Sequence, residues 1–143
     1  MVHTIDISST KRCEFIDITA KIDGVLSKLH VKNGVCRIFI PHTTAGITIN
    51  ENADHSVKKD IIHALGVLFP ENAGYAHSEG NSDAHIKSSL IGVEKTIFVE
   101  NGCLKLGTWQ GVFFCEFDGP RNRQTWMLVD KTDEEMKNAG KEI

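Results

Sequence analysis

Apolar residues recur in short runs along most of the chain, with the alternation or continuity that is typical of β-strands. These runs occupy residues 2–8, 13–18, 35–40, 42–50, 96–99, 104–117 and 124–129. Turn-forming residues separate the runs, and Asn101-Gly102 is a strong signal for a two-residue hairpin. Short turns between neighbouring strands indicate a largely antiparallel sheet.

Three segments between these runs show features of helices. We expect Thr19 to cap the first helix, Asn52 or Asp54 to cap the second, and Asp83 to cap a short third helix over residues 84–91. Apolar positions three and four residues apart predict the buried stripes of the first two helices: Ile22, Val25, Leu26 and Leu29, then Val57, Ile61, Ile62, Leu65 and Leu68. Helices and antiparallel strands together predict an α+β fold.

Length and composition limit the class of protein. With 143 residues, 41% of them hydrophobic, the chain suits one domain with its own core. The composition turns polar after Lys131, so we expect a domain over residues 1–131 and a polar tail over residues 132–143. The formal net charge of -3 argues against a nucleic-acid partner. No apolar run could span a membrane and no signal peptide is recognisable, so we expect a cytoplasmic protein.

The four cysteines offer no recognisable metal or disulfide motif. They stand far apart in the sequence and no C-x-x-C pair occurs. In a chain without a secretion signal, such cysteines are expected to be small buried hydrophobic residues. The four are Cys13, Cys36, Cys103 and Cys115.

Three histidines lie in polar, glycine- and hydroxyl-rich surroundings, namely His42, His77 and His85. Zinc is commonly bound by imidazole nitrogens, and three histidines leave a fourth position for water or substrate. The flexible loop between His77 and His85 would allow both to reach one ion. The spacing is equally compatible with hydrogen-bonded loop histidines, since no helical H-x-x-x-H pair is present.

Two segments rich in carboxylates stand where helices are predicted to begin. Residues 50–54 (NENAD) are compatible with simple capping, and also with Mg²⁺-mediated binding of a phosphate. In residues 83–89 (DAHIKSS), Asp83 would fix the tautomer of His85, while Lys87 and Ser88 would bind a phosphate. A helix cap with a solvated face explains the second segment as well.

The late strands carry three further features. Glycines flank Thr108, Trp109 and Gln110, which indicates a bulge or a close backbone approach. Glu116 ends an apolar strand face, as a catalytic carboxylate or as an exposed strand end. The nearby arginines 121 and 123 are turn residues in the simplest interpretation and phosphate ligands in the alternative one.

Four of these segments taken together carry a family resemblance. Residues 41–45 (PHTTA), 50–54 (NENAD), 83–89 (DAHIKSS) and 106–111 (LGTWQG) resemble the YjbQ family, in the same order along the chain. The resemblance implies a distorted β-sandwich with flanking helices that assembles as a homotrimer. It also implies a divalent metal, zinc in the first instance and magnesium with a diphosphate substrate, held by His42, His77 and His85.

Members of that family are often described as secondary thiamine-phosphate synthases, which gives the first hypothesis for function. Such an enzyme joins an aminopyrimidine diphosphate to a thiazole phosphate and releases pyrophosphate. The alternatives are a metal-dependent hydrolase and a non-catalytic protein that binds a phosphorylated metabolite. The expected catalytic residues are Asp83, His85 and Glu116, and the expected substrate-binding residues are Thr44, Asn50, Asp54, Lys87, Thr108 and Gln110.

Overall fold

A computed structural model describes residues 1–132 of the chain, and the predicted tail lies almost entirely outside them. Three helices are described: α1 (Thr19–Lys28), α2 (His55–Leu68) and α3 (Ser82–Ile91). Eight strands accompany them: β1 (His3–Ser8), β2 (Glu14–Asp17), β3 (Gly34–Phe39), β4 (Ala45–Glu51), β5 (Glu94–Glu100), β6 (Cys103–Leu104), β7 (Gln110–Glu116) and β8 (Asn122–Lys131).

The strands form two antiparallel sheets. The larger sheet has the order β1-β8-β3-β5-β6 and the smaller sheet has the order β2-β7-β4. In the smaller sheet, Ala45 pairs with Glu116 at one end and Glu51 pairs with Gln110 at the other. The predicted α+β fold with two antiparallel sheets and flanking helices is confirmed.

The core has two parts, one on each face of the smaller sheet. One face packs with the larger sheet and α1, and Ile47, Val112 and Phe114 of this face are fully buried. The opposite face presents Phe113 and Cys115 to a second apolar cluster that includes residues of α2 and α3. Burial of both faces explains why β7 is a continuous apolar run.

The predicted strand over residues 104–117 is in fact two strands in different sheets. β6 pairs with β5 in the larger sheet, whereas β7 lies at the centre of the smaller one. Between them, Gly107 and Gln110 close a turn. The Gln110 amide donates to the Gly107 carbonyl over 3.1 Å, and the Gly107 amide donates to Gln110 Oε1 over 2.8 Å.

The predicted helix boundaries are nearly correct, but three details are wrong. Asp83 does not cap α3, because it lies inside the first turn of that helix and the N-cap is Asn81. Thr19 does not cap α1, because its Oγ1 accepts a hydrogen bond from the Val112 amide at 2.9 Å. The apolar stripe of α2 is shallower than expected, since no residue of that helix is fully buried and Leu68 is 67% exposed. α2 therefore lies on the surface of the second cluster.

The cysteines follow the prediction only in part. Cys36 and Cys115 are buried, and burial raises the pKa of both thiols. Cys13 is partly exposed and Cys103 is exposed, so neither is a core residue. All four are free thiols.

Within residues 1–132, none of the helices combines the length and the apolar character that crossing a membrane requires.

Candidate functional site

A cleft of about 1060 Å³ opens beside the end of the smaller sheet at which Ala45 and Glu116 pair. Its walls come from the link between β3 and β4, from α3, and from the turn between β7 and β8. The polar side chains of the lining include His42, Thr44, His85, Ser88, Arg121 and Arg123. The cleft thus brings together residues that lie up to 84 positions apart in the sequence, from Phe39 to Arg123.

Close packing of α3 on β4 places His85 and Ser88 at this cleft. Ser88 is buried and its hydroxyl donates a 2.5 Å hydrogen bond to the Ala45 carbonyl. A Cβ atom on Gly46 would lie only 2.7 Å from the Gly92 carbonyl oxygen, so glycine permits this approach. A larger residue at position 46 would push α3 away from the strand.

A buried ion pair between Glu116 and Arg123 forms the floor beside Thr44. Arg123 Nε lies 2.9 Å from Glu116 Oε1, and its Nη2 donates to Thr44 Oγ1 at 2.8 Å. Ser9 adds a 2.6 Å hydrogen bond to Glu116 Oε1. Thr44 therefore lies in the cleft as expected, with its hydroxyl oxygen held by Arg123.

Glu116 does not have the geometry of a catalytic base. It is fully buried, and its second oxygen accepts from the amides of Phe117 and Asp118 at 3.1 and 3.2 Å. Burial raises the pKa of Glu116, but hydrogen bonds from Arg123 and Ser9 outweigh it and bring the pKa below its ordinary value. In this geometry Glu116 positions Arg123, which in turn holds Thr44, and a catalytic role for Glu116 stays a prediction.

His42 lines the cleft with one nitrogen already engaged. The Gln124 amide donates a 2.9 Å hydrogen bond to His42 Nε2, so the neutral ring carries its proton on Nδ1. Partial burial and the charge of Arg123 lower the pKa of His42, which favours this neutral form. In this geometry His42 offers an N–H donor and has no free lone pair.

His77 and His85 are neighbours, as the loop between them allowed. Their ring centroids lie 5.4 Å apart with the planes nearly perpendicular, and His77 Nε2 lies 3.6 Å from Glu79 Oε2. His85 and Glu79 line the cleft, whereas His77 lines a smaller adjacent pocket.

The three histidines do not fit the zinc site that the resemblance implied. Coordination requires an unprotonated nitrogen lone pair from each ligand, and the Nε2 lone pair of His42 is used by Gln124. Across residues 1–132, no three side chains of His, Cys, Asp or Glu form a group that could hold a metal ion. Of the three histidines, this arrangement brings only His77 and His85 close together.

Asp83 and Lys87 face away from this cleft. Asp83 is fully buried and binds Arg12 through two hydrogen bonds of 2.9 and 3.0 Å, and Lys87 Nζ lies 3.1 Å from the same carboxylate. Burial raises the pKa of Asp83, but these hydrogen bonds outweigh it and the pKa falls below its ordinary value. Asp83 consequently does not orient His85, and Lys87 lines a different pocket.

Four of the expected substrate-binding residues lie at the opposite end of the smaller sheet. Asn50 accepts from the Glu51 amide, Gln110 accepts from the Gly107 amide, and Thr108 is exposed in the intervening turn. Asp54 caps α2 through the Ser56 amide at 2.9 Å, and hydrogen bonds from Ser56 lower its pKa. An antiparallel strand from Ala45 to Glu51 spans roughly 20 Å, so these residues do not reach the cleft.

The comparisons with known proteins agree on one family. Residues 3–131 match the model of the family described as UPF0047 protein YjbQ-like. The chain belongs to this family. A UPF0047 protein of Methanocaldococcus jannaschii is 54% identical over 129 residues, covering 90% of this chain and 94% of that protein. YugU of Bacillus subtilis is 50% identical over 130 residues, covering 90% and 98%.

Solved structures of similar proteins share the fold. A crystal structure of an uncharacterised family member from Clostridium acetobutylicum has a TM-score of 0.87 at 48% identity, covering 90% of this chain and 99% of that one. A hypothetical protein from Aeropyrum pernix has a TM-score of 0.87 at 31% identity, covering 92% and 99%. The resemblance to the YjbQ family is therefore confirmed for family and fold.

The residue pattern carries only an ambiguous signal for the two arginines of the cleft in this UPF0047 chain. Arg123 is buried against Glu116, and Arg121 Nη2 lies 2.9 Å from Asp118 Oδ2. Their cluster in a turn was compatible with a purely structural role as well as with phosphate binding. Arg123 is held by the buried carboxylate of Glu116, which lies seven residues earlier in the chain but in the other sheet, and residue spacing does not reveal this contact.

Proposed function

We propose that this cleft binds a phosphorylated metabolite and that the chain catalyses a thiamine-phosphate synthase-like condensation there. In this reaction an aminopyrimidine diphosphate and a thiazole phosphate combine and pyrophosphate leaves. The observation that carries the proposal is the grouping of two arginines, two imidazoles and several hydroxyl groups around a single cleft. The family resemblance supplies the reaction class.

The size and donors of the cleft support such a substrate pair. A volume of about 1060 Å³ lies at the upper end of the range of small-molecule sites. Arg121 is about half exposed, and its Nη1 makes no hydrogen bond within residues 1–132, so it can donate to a phosphate oxygen. The Nδ1–H group of His42 adds a neutral donor.

The reaction requires stabilisation of a leaving group and little proton transfer. The carbon–oxygen bond to the diphosphate breaks, and the thiazole nitrogen supplies the electron pair of the new carbon–nitrogen bond. Pyrophosphate leaves with the electrons of the broken bond. N–H donors positioned around the departing oxygens provide the stabilisation that such a step needs.

Magnesium enters this proposal as part of the substrate. The cleft lining contains the carboxylates of Glu79 and Asp118 beside Arg121 and Arg123, so a bare diphosphate would meet nearly balanced charges. A magnesium-bound diphosphate carries less negative charge and suits such a lining better. We therefore propose the magnesium complex as the form that binds.

The hydrolase alternative has weaker support in this geometry. It required Asp83 or Glu116 as a general base, and both carboxylates are fully buried in ion pairs with lowered pKa values. Neither is free to accept a proton from a water molecule in the cleft. A non-catalytic binding protein is distinguished from the enzyme by the assay below.

The proposal is tested by measuring pyrophosphate release from the purified protein with both precursors and Mg²⁺. Arg121→Ala is compared with Arg37→Ala, which removes an exposed arginine from the outer face of the larger sheet. We expect Arg121→Ala to lower turnover by roughly 10²–10³-fold, the usual cost of losing one such donor. Arg37→Ala is expected to retain wild-type turnover. Binding without turnover would favour the non-catalytic protein, and equal activity of both variants would overturn the assignment of the cleft.

We further propose a homotrimer in the cytoplasm. The exposure of Val67, Leu68, Phe98 and Trp109, each above 60%, supports association through apolar surface. Phe113, by contrast, is buried and serves the core. Sedimentation equilibrium is expected to give three times the 15.9 kDa of one chain, and the mass of one chain would contradict the proposal. Fractionation of cells tests the location.

A further inference from the structure

A second polar pocket lies on the other side of α3 from the cleft. It has a volume of about 510 Å³ and is lined by Arg12, Cys13, Phe69, Glu71, Asn72 and Lys87, among others. It shares no lining residue with the cleft. Helix α3 separates the two because His85 and Ser88 face one side and Lys87 faces the other.

The charges of this pocket are arranged around a fully buried carboxylate. Both oxygens of Asp83 are engaged by Arg12, and one of them is shared with Lys87. Lys87 is only 4% exposed, and its ammonium makes one hydrogen bond within residues 1–132 although it carries three donors. Two buried or half-buried cations therefore face one buried anion.

The balancing charge comes from a surface side chain. Glu71, in the segment after α2, places Oε1 3.1 Å from Arg12 Nη1, while its side chain remains 57% exposed. An ion pair with so exposed a partner is weak and exchanges readily with other anions. The neutral thiol of Cys13, whose pKa is raised by burial, adds no further negative charge.

We propose that this pocket binds a small carboxylate, with Arg12 and Lys87 as its contacts. The ligand carboxylate takes the position on Arg12 that Glu71 occupies and accepts from the remaining Lys87 donors. Glu71 is thus an internal competitor for the site. A carboxylate is the ligand class because the chain itself presents that group to Arg12.

The proposal is tested by titrating the full chain with acetate and malonate at low ionic strength, using calorimetry and backbone amide NMR shifts. Glu71→Gln removes the competitor, and we expect it to tighten binding by about two- to fivefold, as loss of an exposed ion pair implies. Asp60→Asn is the matched control, because it removes the same charge from an exposed site on α2. It is expected to bind as the wild type does.

Further titrations identify the site and the class of ligand. Lys87→Gln is expected to abolish binding, and His85→Ala is expected to preserve it. Amide shift changes confined to the cleft that His42 and His85 line would overturn the proposal. Equal affinities of Glu71→Gln and Asp60→Asn for the carboxylates would overturn it as well. Inorganic phosphate that binds more tightly than malonate to the same residues would overturn the assignment to carboxylates.

Discussion

The two ends of the smaller sheet carry similar residue types but differ in what those residues contact. At the Ala45–Glu116 end, Arg123 of the larger sheet binds Glu116 of the smaller sheet and also Thr44, 79 positions away, and all three residues are buried. At the Glu51–Gln110 end, polar side chains bind backbone groups one to three residues away and remain largely exposed. The first end encloses a cleft, and the second closes turns and begins a helix.

This difference shows how the same carboxylate or carboxamide can have separate roles. A side chain bonded to its local backbone stabilises a turn or a cap and needs no ligand. A side chain held by a distant partner defines the relative position of several elements, which is what a binding site requires. The proposed binding site therefore lies at the Ala45–Glu116 end.

The largest expected difference in stability comes from breaking the buried ion pair. Glu116→Ala leaves the Arg123 guanidinium buried without its partner, and we expect it to lower the free energy of unfolding by about 3–5 kcal/mol. Urea denaturation at fixed protein concentration measures the effect. A loss no greater than that of Asp54→Ala would contradict the distinction between the two ends.

We expect variants at the two ends of the smaller sheet to differ almost as strongly in turnover. His85→Ala alters the cleft and is expected to lower pyrophosphate release by roughly 10²-fold, while Gln110→Ala at the opposite end changes it less than twofold. Steady-state rates at saturating precursors and Mg²⁺ check this. Equal losses in the two variants would mean that both ends contribute to the site.

A smaller loss is expected from the cap of α2. Asp54→Ala removes the acceptor for the Ser56 amide and should lower the free energy of unfolding by about 1 kcal/mol, with turnover unchanged. Denaturation and the pyrophosphate assay are run on the same preparation. A large loss of turnover with an intact fold would give Asp54 a role in binding.

The smallest effect concerns pH and His42. Partial burial and Arg123 lower the pKa of His42 in the folded chain, so the unfolded chain binds the proton more readily. The stability associated with neutral His42 is fully present above the unfolded pKa of about 6.5. It is lost as the pH falls below that value, because the unfolded chain then binds the proton in preference to the folded chain. The Tm of the wild type should fall more steeply than that of His42→Gln between pH 7.5 and 5. His55→Gln serves as a control, and identical slopes for wild type and His42→Gln would contradict the argument.

Local chemistry made several parts of the fold predictable. Asn101 and Gly102 both have positive φ angles, as the hairpin dipeptide requires, and Asp54 caps α2 as its position indicated. These features depend on residues within a few positions of one another. The family blocks also identified residues at both ends of the smaller sheet, although they did not distinguish the ends.

Features that depend on distant partners were not predictable in the same way. The turn at Gly107 interrupts an apolar run that by pattern alone is one strand, because the chain changes sheets there. Asp83 was assigned to His85 by sequence proximity, but Arg12, 71 positions away, holds it instead. The engagement of His42 Nε2 with the Gln124 amide, 82 positions away, is equally non-local.

The central claim is that the cleft at the Ala45–Glu116 end is the binding site for a phosphorylated substrate. Titration of the isotope-labelled chain with magnesium pyrophosphate, followed by backbone amide NMR shifts, tests it most directly. We expect the largest shifts at His42, Thr44, His85 and Arg121. Shifts concentrated instead at Asn50, Thr108 and Gln110, or none at millimolar pyrophosphate, would contradict the claim.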